Sequence, residues 1–233
     1  MKQDYVANYT NTEKNSIDEV LDPKLTSCKL FASWKTIFLR SGCAIISAVS
    51  AGEIKNDQGK VLRRLIAVKY SSPEGIIYRR NILLKEDAVI VIPVLISKEE
   101  KKFVTVQQRR VIDGNYSTEF PSGGVAESKS KIASAVNELR EETGIKIQED
   151  KLYRLAPDLV LCESSFNETV TWYYCIVSKE HCPVEGSFHG INSENEYTQI
   201  KFLSEKEISK IPSFHMATAC ELLKRAGIIS NFG

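Results

Sequence analysis

Asn137-Glu138-Leu139-Arg140-Glu141-Glu142-Thr143-Gly144-Ile145, preceded by Glu119-Phe120-Pro121-Ser122-Gly123-Gly124, is the part of this 233-residue chain from which the rest can be read. Ile132, Val136 and Leu139 recur at i, i+4 and i+7, which predicts one packed stripe of a helix running from Ser130 to about Thr143. Ser130 offers a hydroxyl cap at its start, and Gly144 suits a left-handed cap at its end. At about 100° of turn per residue, Glu138, Glu141 and Glu142 fall on one flank beside that stripe. Carboxylates so spaced repel one another unless a cation sits between them, and a divalent ion with a preference for oxygen ligands is the natural occupant. Taken alone, an E-x-x-E-E cluster is far more often a solvated helical face. The upstream turn tips the reading, because its small residues let backbone approach a metal or ligand.

Outward from this helix, Ala88–Ile96 is a continuous apolar run and predicts a strand buried on both faces. Lys102–Gln108, Leu155–Leu161, Thr169–Val177 and Glu196–Leu203 read as further strands, and Ser213–Ala226 as a second helix. Before the apolar run, short β-like segments (Thr36–Leu39, Cys43–Ala48, Val61–Lys69, Ile76–Tyr78) are separated by turn signals at residues 56–59 and 71–73. The expected organisation is a flexible polar tail over residues 1–24, a small antiparallel β unit over 25–84, and a main α+β domain over 85–233.

Lysine plus arginine number 31 against 30 acidic residues, so no long-range field favours nucleic acid or an anionic membrane, and neither is expected as a partner. The apolar runs are too short to span a bilayer and the N-terminus is polar, which points to the cytoplasm, with the nucleus as alternative. The six cysteines contain no C-x2-C pair and read as reduced thiols, and His181, His189 and His215 lack metal-ligand spacing.

Gly123 followed by Asn137–Ile145 stands at the spacing of the Nudix box, G-x5-E-x7-R-E-U-x-E-E-x-G-U with U apolar, and the chain resembles the Nudix hydrolase family. The resemblance implies the Nudix α/β/α sandwich, with magnesium, or manganese in its place, held by Glu138, Glu141, Glu142 and the backbone carbonyl of Ser122. Two box positions depart: Lys129 stands for a Glu, and Asn137 for the Arg that braces the metal-binding glutamates.

Gln108-Arg109-Arg110, Tyr116 and Glu119–Gly123 are similar to the ADP-ribose and ADP-sugar pyrophosphatase branch, which makes Arg110 and Glu119 substrate-binding candidates. A guanidinium suits a diphosphate because it offers planar paired donors and keeps its charge; the bland alternative is an Arg110–Glu119 salt bridge. Ser193–Tyr197 resembles the branch's acidic loop, so Glu196, with Glu194 as alternate, is the candidate catalytic carboxylate, and Glu141 is carried as both ligand and catalytic group.

The Pro-Gly pair of the branch's S-P-G-x-[ST]-x-E segment is missing at Cys162–Glu168. The branch also implies a homodimer built by the N-terminal unit, with Trp34 as a base-stacking candidate, although such a tryptophan is ordinarily core. The implied activity is hydrolysis of ADP-ribose or a related nucleoside-diphosphate sugar to AMP and a phosphosugar. The alternatives are a Nudix hydrolase of another nucleoside diphosphate derivative, or a catalytically weak or inactive Nudix domain that binds a nucleotide.

Overall fold

The computed structural model describes residues 20–97, 100–110, 114–126, 128–190 and 197–230. The chain divides into two units, one comprising residues up to Glu53 with Arg64–Ile82, the other Ile54–Arg63 with Leu83 onward.

The N-terminal part contains β1 (Val20–Leu21), α1 (Pro23–Thr26), α2 (Lys29–Leu39), β2 (Ala44–Lys55), β3 (Val61–Ser71) and β4 (Ile77–Lys85). Its strands form a sheet in the order β1-β2-β3-β4, with β1 parallel to β2. Helix α2 corrects the expectation of a strand at Thr36–Leu39. Thr36-Ile37-Phe38-Leu39 has strand-like composition, but Phe31, Trp34 and Phe38 lie at i, i+3 and i+7, a helical stripe, and tertiary packing overrides the local preference. Trp34 is buried, its ring 5.6 Å from Phe31 and 4.9 Å from Phe38, and Phe38 packs edge-on against Tyr70. Trp34 is therefore core.

Beyond β4 the second unit contains β5 (Ala88–Ile96), β6 (Lys101–Arg109), β7 (Tyr116–Glu119), β8 (Ser122–Gly124) and α3 (Lys131–Thr143). It continues through β9 (Tyr153–Arg154), β10 (Leu159–Val160), β11 (Thr169–Val177), β12 (Phe188–His189), β13 (Thr198–Ser204), α4 (Glu205–Ile208) and α5 (Phe214–Arg225). The strand expected over Leu155–Leu161 is reduced to Leu159–Val160, Pro157 being unable to donate to a ladder. Helix α4 was not foreseen; it opens on a capping box between Ser204 and Glu207.

The sheet runs β10-β11-β5-β6-β13-β12, with β11 parallel to β5 and β6 antiparallel to both β5 and β13. Alternate residues of β5 serve opposite cores, which is why its sequence is apolar throughout. Val89 and Val91 join a cluster with Ala135 and Leu139 of α3, while Ile90, Ile92 and Val94 join one with Met216, Ala219 and Leu223 of α5. The result is a helix layer on each face of the sheet.

Strands β5 and β6 pair only over Val94–Ile96 with Lys101–Phe103. Tyr116–Gly124 fills the space beyond, as β7 pairs with β6 and β8 then pairs with β5. The Glu119–Gly124 turn is thus lodged between the two central strands, with the Pro121 carbonyl accepting from the Val91 amide at 2.9 Å.

Helix α3 begins where Ser130 accepts a hydrogen bond from the Ala133 amide at 3.1 Å and ends at Gly144, whose φ is 73°. A Cβ on Gly144 would stand 2.7 Å from the ring of His189. Gly144→Ala is therefore expected to lower stability by about 1–2 kcal/mol, read as a fall in the urea midpoint, because it combines left-handed strain with a clash. An unchanged midpoint would show that the helix end can rebuild without that cap. All six cysteines are free, and burial pushes the Cys175 thiol up to about 12. Among the described residues, no helix is long and apolar enough to cross a membrane.

Candidate active site

The turn lodged between β5 and β6 meets α3 through two glutamates. The Ser122 amide donates to Glu142 Oε2 at 2.9 Å, and Glu142 is only 5% exposed. A buried carboxylate is costly unless hydrogen-bonded, so this contact ties the helix to the turn. Glu138 lies against Gly123, where a Cβ would come within 2.1 Å of its carboxyl carbon. Gly123 has no left-handed φ; here a glycine is required by the space its neighbour occupies.

Glu141, half-buried on the same helix, accepts from Arg140 Nη2 at 3.1 Å. Among the described residues, no three His, Cys, Asp or Glu side chains stand close enough to enclose an ion. The donor chemistry nevertheless suits magnesium: every side-chain candidate is a carboxylate, and two of them meet at one turn whose backbone is closely approached.

On the hairpin that feeds this turn, Arg110 and Glu119 form a two-bond pair, Nε donating to Oε1 at 2.8 Å and Nη2 to Oε2. Burial pushes the Glu119 carboxyl up, but hydrogen bonds from Arg110 and Ser117 outweigh it and hold it below the usual carboxylate value. Both substrate-binding candidates thus meet, and the salt bridge weighed as the bland alternative forms. The pair with Glu119 uses two of the five N–H donors of a guanidinium.

Two further groupings were not foreseen. Lys131, in the first turn of α3, contacts Asp87 at 2.9 Å and Asp158 at 2.8 Å, and Asp158 also accepts from Thr171 and Arg154. This network fastens the start of α3, with partners too far apart in sequence to leave a local signal. Lys85 pairs with the buried Glu168 at 2.7 Å, and Glu168 Oε2 is buried with no hydrogen-bond partner among the described residues. Glu168 ends the Cys162–Glu168 segment singled out in the sequence. His215 lies in the electrostatic reach of Glu119 and Glu168, and burial pulls its pKa down.

The NUDIX domain family model matches residues 85–220, more than half of the chain. The chain belongs to the Nudix family. Over 61 residues it is 44% identical to the mouse ADP-sugar pyrophosphatase, a match spanning 26% of this chain and 28% of that protein. A solved structure described as an ADP compounds hydrolase superposes with a TM-score of 0.56, at 16% identity, covering 80% of this chain and 97% of that one, a likeness of fold.

In Nudix-box terms, α3 carries the three glutamates, Gly123 and Gly144 bracket the loop–helix unit, and the two departures are exposed Lys129 and half-buried Asn137. Glu194 and Glu196 lie outside the described residues. Their flanks, however, attach to the end of the Nudix helix: the Gly190 amide donates to the Glu141 carbonyl at 3.0 Å, and the Thr198 hydroxyl to the Glu142 carbonyl at 2.8 Å.

Proposed function

We propose that this Nudix protein is a diphosphatase that hydrolyses ADP-ribose or a related nucleoside-diphosphate sugar to AMP and a phosphosugar. The observation that carries this reading is the meeting of α3 with the Ser122-Gly123 turn, where Glu142 is bonded to the Ser122 amide and Glu138 fills the space left by Gly123. Glu138, Glu141, Glu142 and the Ser122 carbonyl would hold a divalent ion, magnesium or manganese. Such an ion lowers the pKa of an attacking water and offsets charge on the diphosphate.

Arg110, already oriented by Glu119, offers donors to phosphate oxygens, and Glu119 in turn keeps the guanidinium in place. Glu196, or Glu194, accepts the proton of the attacking water, with Glu141 as the alternative acceptor. The similarity to an ADP-sugar pyrophosphatase supports an ADP-linked substrate, though over a minor share of both chains. A homodimer through the N-terminal unit accompanies this reading by family resemblance.

A second reading, a Nudix domain that binds nucleotide without turning it over, is favoured by the pairing of Glu141 with Arg140 and by Lys129 and Asn137 in the box. Release of AMP by purified protein, with and without millimolar magnesium, from ADP-ribose, UDP-glucose and a diadenosine polyphosphate separates the two. Magnesium-dependent AMP from ADP-ribose is the expected result. No turnover of any substrate, with ADP-ribose still raising the melting temperature, would overturn the hydrolase reading in favour of binding.

A further inference from the structure

Four carbonyls in the last turn of a helix have no partner within it, and in α3 these include Glu141 and Glu142. Both accept from protein donors here. Gly190 donates its amide to Glu141, and Thr198, fully buried at the start of β13, donates its hydroxyl to Glu142. Thr198 also lies 3.2 Å from the His189 carbonyl, so its single proton is shared between the helix end and the neighbouring strand β12. The ring of His189 packs over Gly144, and its Nε2 lies 3.1 Å from the Ser187 hydroxyl.

Glu142 is therefore held twice. Its side chain is fastened to the Ser122 turn and its backbone to the β12–β13 hairpin, from opposite ends of one residue. A carboxylate pinned at its Oε2 end alone could still swing with the helix terminus, which frays readily when its carbonyls are unsatisfied.

We propose that Thr198 is a positioning residue for divalent-metal binding: by bonding the Glu142 carbonyl it sets where the carboxylates of Glu141 and Glu142 stand. This inference rests on the metal site of the proposed function. The ordinary alternative is that Thr198 only satisfies a buried carbonyl, as Thr105 does on the same sheet, where its buried hydroxyl donates to the Lys201 carbonyl at 2.8 Å.

Thr105 supplies the control. Mn2+ binding to the full chain, followed by the electron-spin signal of the free ion, is compared for the wild type, Thr198→Val, Thr198→Ser and Thr105→Val, with thermal midpoints recorded in parallel. Both valine variants lose a buried hydroxyl and are expected to melt earlier. Only Thr198→Val is expected to weaken Mn2+ binding, by about tenfold, the lower end for loss of an outer-shell partner.

Thr198→Ser, which keeps the hydroxyl, is expected to restore Mn2+ affinity, a rescue that depends on the hydrogen bond rather than on packing. Should Thr198→Val fail to fold, Thr198→Cys, close in volume but a weak donor, takes its place. Wild-type affinity in the folded Thr198 variants, or equal weakening in Thr105→Val, would overturn the positioning role while leaving the metal site standing. Wild-type protein that binds no Mn2+ would overturn the metal site and this inference together.

Discussion

Glu142→Gln is expected to lower magnesium-dependent AMP release by at least about a hundredfold, since outer-shell partners of a metal already cost 10–100-fold and Glu142 is proposed as a direct ligand. The protein should remain folded. Glutamine has nearly the same shape, and its amide oxygen can still accept from the Ser122 amide that now bonds Glu142 at 2.9 Å. Removing a formal charge from a side chain 5% exposed also relieves a desolvation cost, so the melting temperature should hold or rise. Turnover and melting temperature moving in opposite directions would separate a site residue from a structural one. Wild-type turnover in this variant would remove Glu142 from the site.

Gly123→Ala should have a comparably large effect by a different route. The added methyl would lie 2.1 Å from the Glu138 carboxyl carbon and 2.2 and 2.4 Å from its oxygens, far inside any real contact. Gly123 does not occupy the left-handed region, so the backbone accepts alanine, and it is the flexible Glu138 side chain that must move. A misplacement of about 1 Å in a catalytic constellation can cost on the order of a hundredfold in rate. The expected result is a loss of that size in kcat with little change in melting temperature.

Gly124→Ala is the control, because among the described residues its Cβ would meet only Glu86 Oε2, at an ordinary 3.7 Å, and activity should stay near that of the wild type. If Gly123→Ala instead destabilises the protein and keeps its turnover, the backbone yields rather than Glu138, and Glu138 is not needed where it stands.

Much of this architecture is written in local patterns. The helix of the three glutamates was legible because apolar spacing, a serine cap and a glycine stop all act within one short segment, and the structure starts it at Lys131, one residue inside its cap. Strand β5 was legible because a strand covered on both faces has no polar positions, and Thr169–Val177 emerged at its observed bounds. Thr36–Leu39 misled because strand preference and helical spacing compete in the same four residues, and only the packing of Phe31, Trp34 and Phe38 decides between them.

For the site, the sequence by itself determined the donor set: three carboxylates on one helical flank and a glycine turn at the spacing of the Nudix box. What only the tertiary structure decided is where those groups are held. Glu142 reaches Ser122 across 20 residues and Thr198 across 56, Lys131 reaches Asp158 across 27, and Lys85 meets Glu168, far along the chain from it. Periodicity and capping record forces between residues a few positions apart. Contacts closed by the sheet arise from burial and ladder register, which bring distant residues together without leaving a mark on the sequence around either one.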